Sequence, residues 1–421
     1  MSTGNLEFFS AIEISKEDTR TQDFVEYIKQ FDDFGTVTQV HELHVGNQPV
    51  PVYVNEFWTS KQRAASSIHE VSYRACFKPQ LPRFFIEQLT SEGDTVLDPF
   101  MGRGTTLIEA ILMNRFGIGC DINPLSNVLC GPRFNPPTLN QVEKRLERLD
   151  LSYDGDPPED LDVFFQEDTL KELCALRSYF ADKDSKKDVV DRWIQMVATN
   201  RLTGHSNGFF SVYTLPPNQA LTADRQRLIN AKREQEPEYR DVKKLILKKS
   251  KSLLKNLEEK DYQSFKQFGK KSKIVIGSSK EAKGIKAGSV DLVVTSPPFL
   301  DVVDYASDNW LRCWFNNLEP DTIPISIHRN VESWSAEMTE TFKRMVKLLQ
   351  KGAYVAFEVG EVRKGKIKLE DHVIPAAEKA GLTPILVLVN DQEFTKTSNC
   401  WGVSNLEKGT NTNRIVLLKK P

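Results

Sequence analysis

Short apolar runs of strand length alternate with glycine-bearing polar loops and amphipathic stretches in two separate parts of the chain. Thr95–Asp98 is the first such run. A tight loop at 99–104 follows, and residues 105–113 carry the near-continuous apolar pattern of a buried helix. Residues 117–121 read as a second buried strand, so the unit is a strand, a crossover helix and a parallel strand of the right-handed kind. The rhythm returns at Lys273–Ile276 and at 290–294, two short strands that each end in a polar loop. Over 334–350, Met338, Phe342, Met345, Val346 and Leu349 recur on one side of a helix, with Gly352 just past its end. A partner strand follows at 353–359. Residues 384–389 and 414–418 are strands joined without a helical pattern, expected to pair antiparallel at the sheet's edge. The expected fold is α/β, a mostly parallel sheet with a C-terminal antiparallel hairpin.

Two regions stand outside this rhythm. Residues 1–68 form an accessory region with a helix over 15–34, carrying Phe24, Ile28 and Phe31 on one face, and strand-like runs at 36–40 and 50–54. Residues 131–272 open with Pro132, Pro136 and Pro137, pass an acidic loop at 154–160 and continue with a mainly helical pattern. The expected organisation is therefore 1–68, a first half of the sheet domain at 69–130, a largely helical insertion at 131–272 and a second half at 273–421.

Composition narrows the classes. The 421 residues include 56 Lys and Arg against 58 Asp and Glu, a formal charge of −2 that does not announce a nucleic-acid binder. That sum hides a local excess. Between Asp241 and Lys273, eleven lysines stand against four acids, either a solvated helical face or a phosphate-contacting surface. No window approaches the ~18 uninterrupted apolar residues of a membrane span. The first twenty residues include Glu7, Glu13, Glu17 and Asp18 and lack the features of a secretory signal, so the expectation is a cytoplasmic protein. The six cysteines contain no CxxC pair, which argues against a zinc ribbon and a disulfide framework. His41 and His44 are spaced like helix ligands but lack a third partner, and no metal is expected. Residues 360–367 nearly spell a phosphate-binding loop, yet Ile367 stands where a hydroxyl is needed.

The segment Asp98-Pro-Phe-Met-Gly-Arg-Gly-Thr-Thr106 lies where the carboxyl end of the first strand meets a helix, the place where open α/β sheets bind ligands. Gly102 and Gly104 allow close backbone approach to a ligand; read structurally, the same turn only packs a helix on a strand. The second strand ends in Asp121, near the spacing expected of an acid that holds a ribose diol. Leu107 occupies the third glycine position of a dinucleotide fingerprint, and Asp98 suits a cationic cofactor better than a pyrophosphate. After the strand at 290–294, Thr295-Ser-Pro-Pro-Phe299 forms a turn that two prolines stiffen. It aims the Ser296 hydroxyl and the loop carbonyls at one point beside the Phe299 ring, a pocket for a planar amine.

Together the two motifs resemble those of the amino-group DNA methyltransferases, the N4-cytosine and N6-adenine enzymes that use S-adenosylmethionine (SAM). The first matches DPFxGxGTT from Asp98 to Thr106, and the second matches [DNS]PP[YF] from Ser296 to Phe299, in the serine form typical of N4-cytosine enzymes. Residues 73–82 resemble the family's cofactor-side motif upstream. The resemblance spans 69–130 and 273–421 and implies a Rossmann-like class I methyltransferase sheet. It implies that Asp98, Pro99, Phe100, Gly102, Gly104, Thr105 and Thr106 form the cofactor site, with Asp121 on the ribose and Ser278 where the family often has an acid near the adenine. It also implies that Ser296 and the Pro297 carbonyl accept from the target amine, with Pro298 holding the turn and Phe299 stacked on an extruded base.

The activity so implied is methylation of the N4 amine of cytosine in duplex DNA, in a restriction-modification or orphan system, with a cognate endonuclease as a possible partner and a nucleoid-associated location. N6-adenine methylation, an RNA amino-methyltransferase and an inactive nucleic-acid-binding module are the alternatives. None of the six cysteines follows a proline, as a C5-cytosine nucleophile usually does. Target recognition is expected in the insertion, with Gly204, His205, Ser206 and Asn207 as the contact loop. Tyr305, Asn411 and Arg414 are further candidates for DNA contact.

Overall fold

In a computed structural model, residues 19–45, 48–59, 65–74, 76–182, 188–215, 220–298, 305–325, 328, 330–362, 367–391 and 412–421 are described. The strands are β1 (Gln39–Val45), β2 (Gln48–Asn55), β3 (Thr95–Asp98), β4 (Phe116–Asp121), β5 (Lys273–Ile276), β6 (Val290–Thr295), β7 (Leu349–Val359), β8 (Glu361–Val362), β9 (Ile367–Lys368), β10 (Thr383–Asp391) and β11 (Thr412–Lys419). The helices used below are α1 (Thr19–Gln30), α2 (Gln80–Leu89), α3 (Thr105–Leu112), α4 (Leu125–Cys130), α5 (Leu139–Arg148), α6 (Glu167–Ala181), α7 (Val189–Arg201), α8 (Ala223–Arg233), α9 (Val242–Leu254), α10 (Glu259–Gln267), α11 (Tyr305–Phe315), α12 (Val331–Leu348) and α13 (Glu370–Ala380).

Nine strands form one sheet in the order β1-β2-β10-β11-β7-β6-β3-β4-β5. The pairings leave β1 and β11 running against the other seven. The strands are thus mostly parallel, and β10–β11 is the antiparallel hairpin. It is not, however, the edge. β2 lies beyond it, pairing in parallel from Val52↔Val387 to Asn55↔Asn390. The reason is legible in β10 itself: Leu386, Val387, Leu388 and Val389 are all buried, and a run apolar on both faces needs cover that an edge lacks. The strand expected at 36–40 starts at Gln39, where pairing with Val54 begins. His41 and His44 lie on it, not on a helix, and are exposed.

Alternate residues of the central strands feed opposite faces. Val96, Leu292, Val294 and Ala356 pack with α1 and α2, including Phe24, Ile28, Phe84 and Phe85. Leu97, Val293, Val355 and Phe357 pack with α12 and α13 through Trp334, Phe342 and Val373. The N-terminal region therefore shares the sheet's core. So does the helical insertion: Trp193, Val197, Ile246 and Leu253 join one cluster with Leu107, Ile108 and Leu129 of α3 and α4. Phe315 of α11 is in the same cluster, as core.

Candidate active site

The loop after β3 is held open by its glycines. Gly104 has φ +77°, and a Cβ there would come within 2.1 Å of Cys130 Sγ. Gly102, at φ +47°, donates its N–H to Asp121 Oδ2 at 2.8 Å, which ties the loop to the end of β4. Asp121 Oδ1 accepts from Asn123 N at 2.8 Å. Burial raises the Asp121 carboxyl above its ordinary value, although these two N–H groups favour its charged form. Arg103 braces the loop from outside by donating to Val71 O at 2.7 Å.

Asp98 sits beneath. It is 1% exposed and accepts from Thr295 Oγ1 at 2.6 Å and Phe100 N at 3.1 Å. Burial lifts its carboxyl to about 7. The Thr295 bond joins β3 directly to β6, at the residue before Ser296.

Ser296 is half-buried at the carboxyl end of β6. Its hydroxyl donates to the carboxylate of Glu358, next to Phe357, whose register partner on β6 is Thr295. Glu358 is buried and also accepts from Asn413 Nδ2 of β11. Desolvation raises the Glu358 carboxyl to about 7, with the nearby Asp98 charge adding in the same direction. On the other side of the turn, Trp334 Nε1 of α12 donates to Pro298 O at 2.9 Å. The diproline corner is therefore held from β7 through Glu358 and from α12 through Trp334, not by its prolines alone.

These loops enclose a cavity of about 650 Å³ along the carboxyl edge of β6, β3, β4 and β5. Among the expected residues, Pro99, Phe100, Gly102, Asp121, Ser278, Ser296 and Pro298 line it. Asp98, Gly104, Thr105, Thr106 and Pro297 do not; they are buried under the lining. Phe299 and Asn411 lie outside the described residues, as does the Tyr305 side chain at the start of α11. Gly204 is buried, its carbonyl accepting from Thr214 N at 3.0 Å, while His205, Ser206 and Asn207 are exposed and are not among the cavity's lining residues. Arg414 Nε donates to the fully buried Glu370 at 2.6 Å, an ion pair between β11 and α13.

Sequence reasoning missed Glu358, Asn413 and Glu337. For Glu358 a signal existed, a lone acid at the end of the apolar run 353–359. The Tyr73 ring and Cys76 also line the cavity, from the segment just before α2. Among the described residues no cluster of three or more His, Cys, Asp or Glu could hold a metal, and no helix is long and apolar enough to cross a membrane.

The DNA methylase family model matches residues 9–125, which contain the Asp98–Asp121 unit. Over this segment the chain is similar to the amino-group (N6 and N4) DNA methylases that the model describes. The match reaches back into the region before residue 69 that the sequence motifs left unassigned. Type II methyltransferase M.MjaII of Methanocaldococcus jannaschii is 31% identical over 88 residues, 21% of this chain and 17% of that protein. Type II methyltransferase M.BsoBI of Geobacillus stearothermophilus is 39% identical over 89 residues, 21% of this chain and 16% of that one. A tRNA (guanine(10)-N2)-dimethyltransferase of M. jannaschii is 35% identical over 95 residues, 22% of this chain and 26% of the other. The matched segments thus cover far less than two-thirds of these family relatives' lengths.

Proposed function

We propose that this chain transfers a methyl group from SAM to an exocyclic amine of a base in duplex DNA, the N4 amine of cytosine. The observation that carries the proposal is that Ser296 and Asp121 open into one cavity, with a buried carboxyl, Glu358, directly behind Ser296. The cavity's volume falls in the ~300–1,000 Å³ range of sites that bury a ligand of this size. Its edge, from β6 to β5, is three inter-strand steps, roughly 14 Å long, which suits an extended nucleoside–amino acid. Asp121 would take the ribose hydroxyls through its remaining lone pairs. Pro99, Phe100 and Gly102 would hold the amino-acid part, above the acidic Asp98 that favours a cation nearby.

When bound, SAM supplies a methyl group made electrophilic by its sulfonium centre. The residues of the chain act on the amine. Its lone pair is delocalised into the base, so it is a weak nucleophile until acceptors draw on its hydrogens. Ser296 Oγ, which lines the cavity, is such an acceptor. As the nitrogen bonds to carbon it becomes cationic and strongly acidic, and its proton passes through Ser296 to Glu358. A carboxyl with a value near 7 is matched to that task at neutral pH. The serine at 296 supports cytosine N4 as the target; adenine N6 presents the same NH₂ chemistry to the same acceptors.

The test is transfer of a labelled methyl group from SAM to duplex DNA, with structured RNA as the parallel substrate. Label in DNA that accumulates about ten- to a hundredfold more slowly in Ser296→Ala is the expected result. Label in RNA alone would transfer the proposal to the activity named for the tRNA-modifying relative, and no label in either would end it.

A further inference from the structure

The insertion carries a compact loop that the transfer chemistry leaves unused. It starts at the end of α7, where Phe210 N donates to Arg201 O at 2.9 Å, and it closes where Thr214 N donates to Gly204 O at 3.0 Å. The Phe209 ring occupies the space beside Gly204, where a Cβ would come within 2.4 Å of it. The Arg201 guanidinium lies over that ring, 3.9 Å from its centre. Asn200 fixes its orientation, accepting from Nε through its carbonyl at 3.0 Å and from Nη2 through Oδ1 at 3.2 Å. Arg201 is only half-buried, and the rest of its five N–H donors bond to nothing among the described residues. At the tip, Ser206 and Asn207 are exposed, and Asn207 Oδ1 accepts at 3.2 Å from Arg240, itself paired with Glu238.

Among the described residues no carboxylate pairs with Arg201: Glu70, the acid whose charge acts on it, is held by Lys249 at 3.4 Å and Lys255 at 3.8 Å. Burial lowers the Arg201 guanidinium to about 10, and the Arg312 charge adds in the same direction. A partly desolvated cation beside another is costly until an anion completes it. The end of a helix favours a cation, yet an arginine left in water would serve that purpose. The loop also stands next to the cavity. Asn200 Nδ2 and Arg312 both donate to Ser72 O at 3.1 Å, and the next two residues, Tyr73 and Arg74, line the cavity. We propose that Arg201, held on Phe209, binds a backbone phosphate of the duplex DNA whose base enters the cavity, with the exposed Ser206 hydroxyl as a second donor. A guanidinium suits this ligand because it offers parallel N–H groups to two phosphate oxygens. Such a contact carries no sequence information; it sets where the strand lies. It rests on the duplex-DNA reading above.

The test measures the affinity of the full chain for duplexes of unrelated sequence over a series of salt concentrations. Arg201→Met, which keeps an apolar stem on Phe209, should weaken binding about tenfold or more at low salt and to the same extent for every duplex. The slope of log affinity on log salt should become shallower by about 0.9, whereas Arg201→Lys, which keeps the charge, should retain it. Affinity for S-adenosylhomocysteine should be unchanged, with the ligand-free melting temperature as the check that the fold is intact. An unchanged slope in the folded Arg201→Met variant, or a loss confined to one duplex, would overturn the inference and leave the methyl-transfer reading standing. A wild type that binds no duplex DNA at any salt would instead remove that reading. Should Arg201→Met unfold, Ser206→Glu at the exposed tip should weaken binding at low salt and lose that effect at high salt; binding unaltered at low salt would count against the assignment.

Discussion

At the scale of single residues, the chemistry depends on a hydroxyl and two carboxyls. Ser296→Ala removes one acceptor and the path to Glu358. It should cost about ten- to a hundredfold in rate, with SAM binding retained, as measured by single-turnover transfer beside titration. Glu358 accepts a proton only when ionised, and burial has raised it to about 7. The rate should therefore climb through that pH and level off above it. Glu358→Gln should be slower throughout and lose that limb of the profile; a profile identical to the wild type would assign the limb to another group. Asp98 carries a stability consequence. Its folded value, about 7, stands above the 3.8 of an ordinary aspartate. Its stabilising contribution is complete below the lower value and is lost as the pH rises through the higher one. The melting temperature of Asp98→Asn, measured relative to the wild type, should thus rise steadily between about pH 4 and pH 7 and stay level above; a pH-independent difference would show that Asp98 is ordinary in solution.

At the scale of elements, the glycine loop is the most constrained piece. Gly104 combines a left-handed backbone with a Cβ position already filled by Cys130. Gly104→Ala should cost about 1–3 kcal/mol in denaturant unfolding. This unit was also the most legible in the sequence, because a short strand, a glycine turn and an apolar helix are local signals. Long-range arrangements were less so. The neighbours of β10 come from residues 52–55, and no periodicity reports a pairing across more than three hundred positions. The helix α13 went unread because Pro375 sits inside it, where proline ordinarily argues against a helix. The lysine run resolved in part. On α9, Lys244, Lys248 and Lys251 are exposed on one side, while Lys249 and, just past the helix, Lys255 pair with Glu70. Reversing the three exposed charges should weaken DNA binding and flatten its dependence on salt; an unaltered slope would make the ridge a solvated face.

At the scale of the whole molecule, the boundaries suggested by composition do not mark separate cores. Phe24 and Ile28 pack against the central strands, and the insertion shares its core with α3 and α4. The cavity residues legible in advance, such as Phe100, Gly102, Asp121 and Ser296, belong to short motifs. Those that escaped notice, Glu358, Asn413 and Glu337, reach the site only through strand register and helix packing. Which atom receives the methyl group decides between amine and carbon chemistry at this site. Duplex DNA of mixed sequence, incubated with the protein and isotopically labelled SAM, is digested to nucleosides and resolved by mass and chromatography. Labelled N4-methylcytidine in its deoxy form, formed about ten- to a hundredfold more slowly with Ser296→Ala, is the predicted product. Label on C5 of cytosine, or a DNA product undiminished in that variant, would contradict the mechanism at its centre.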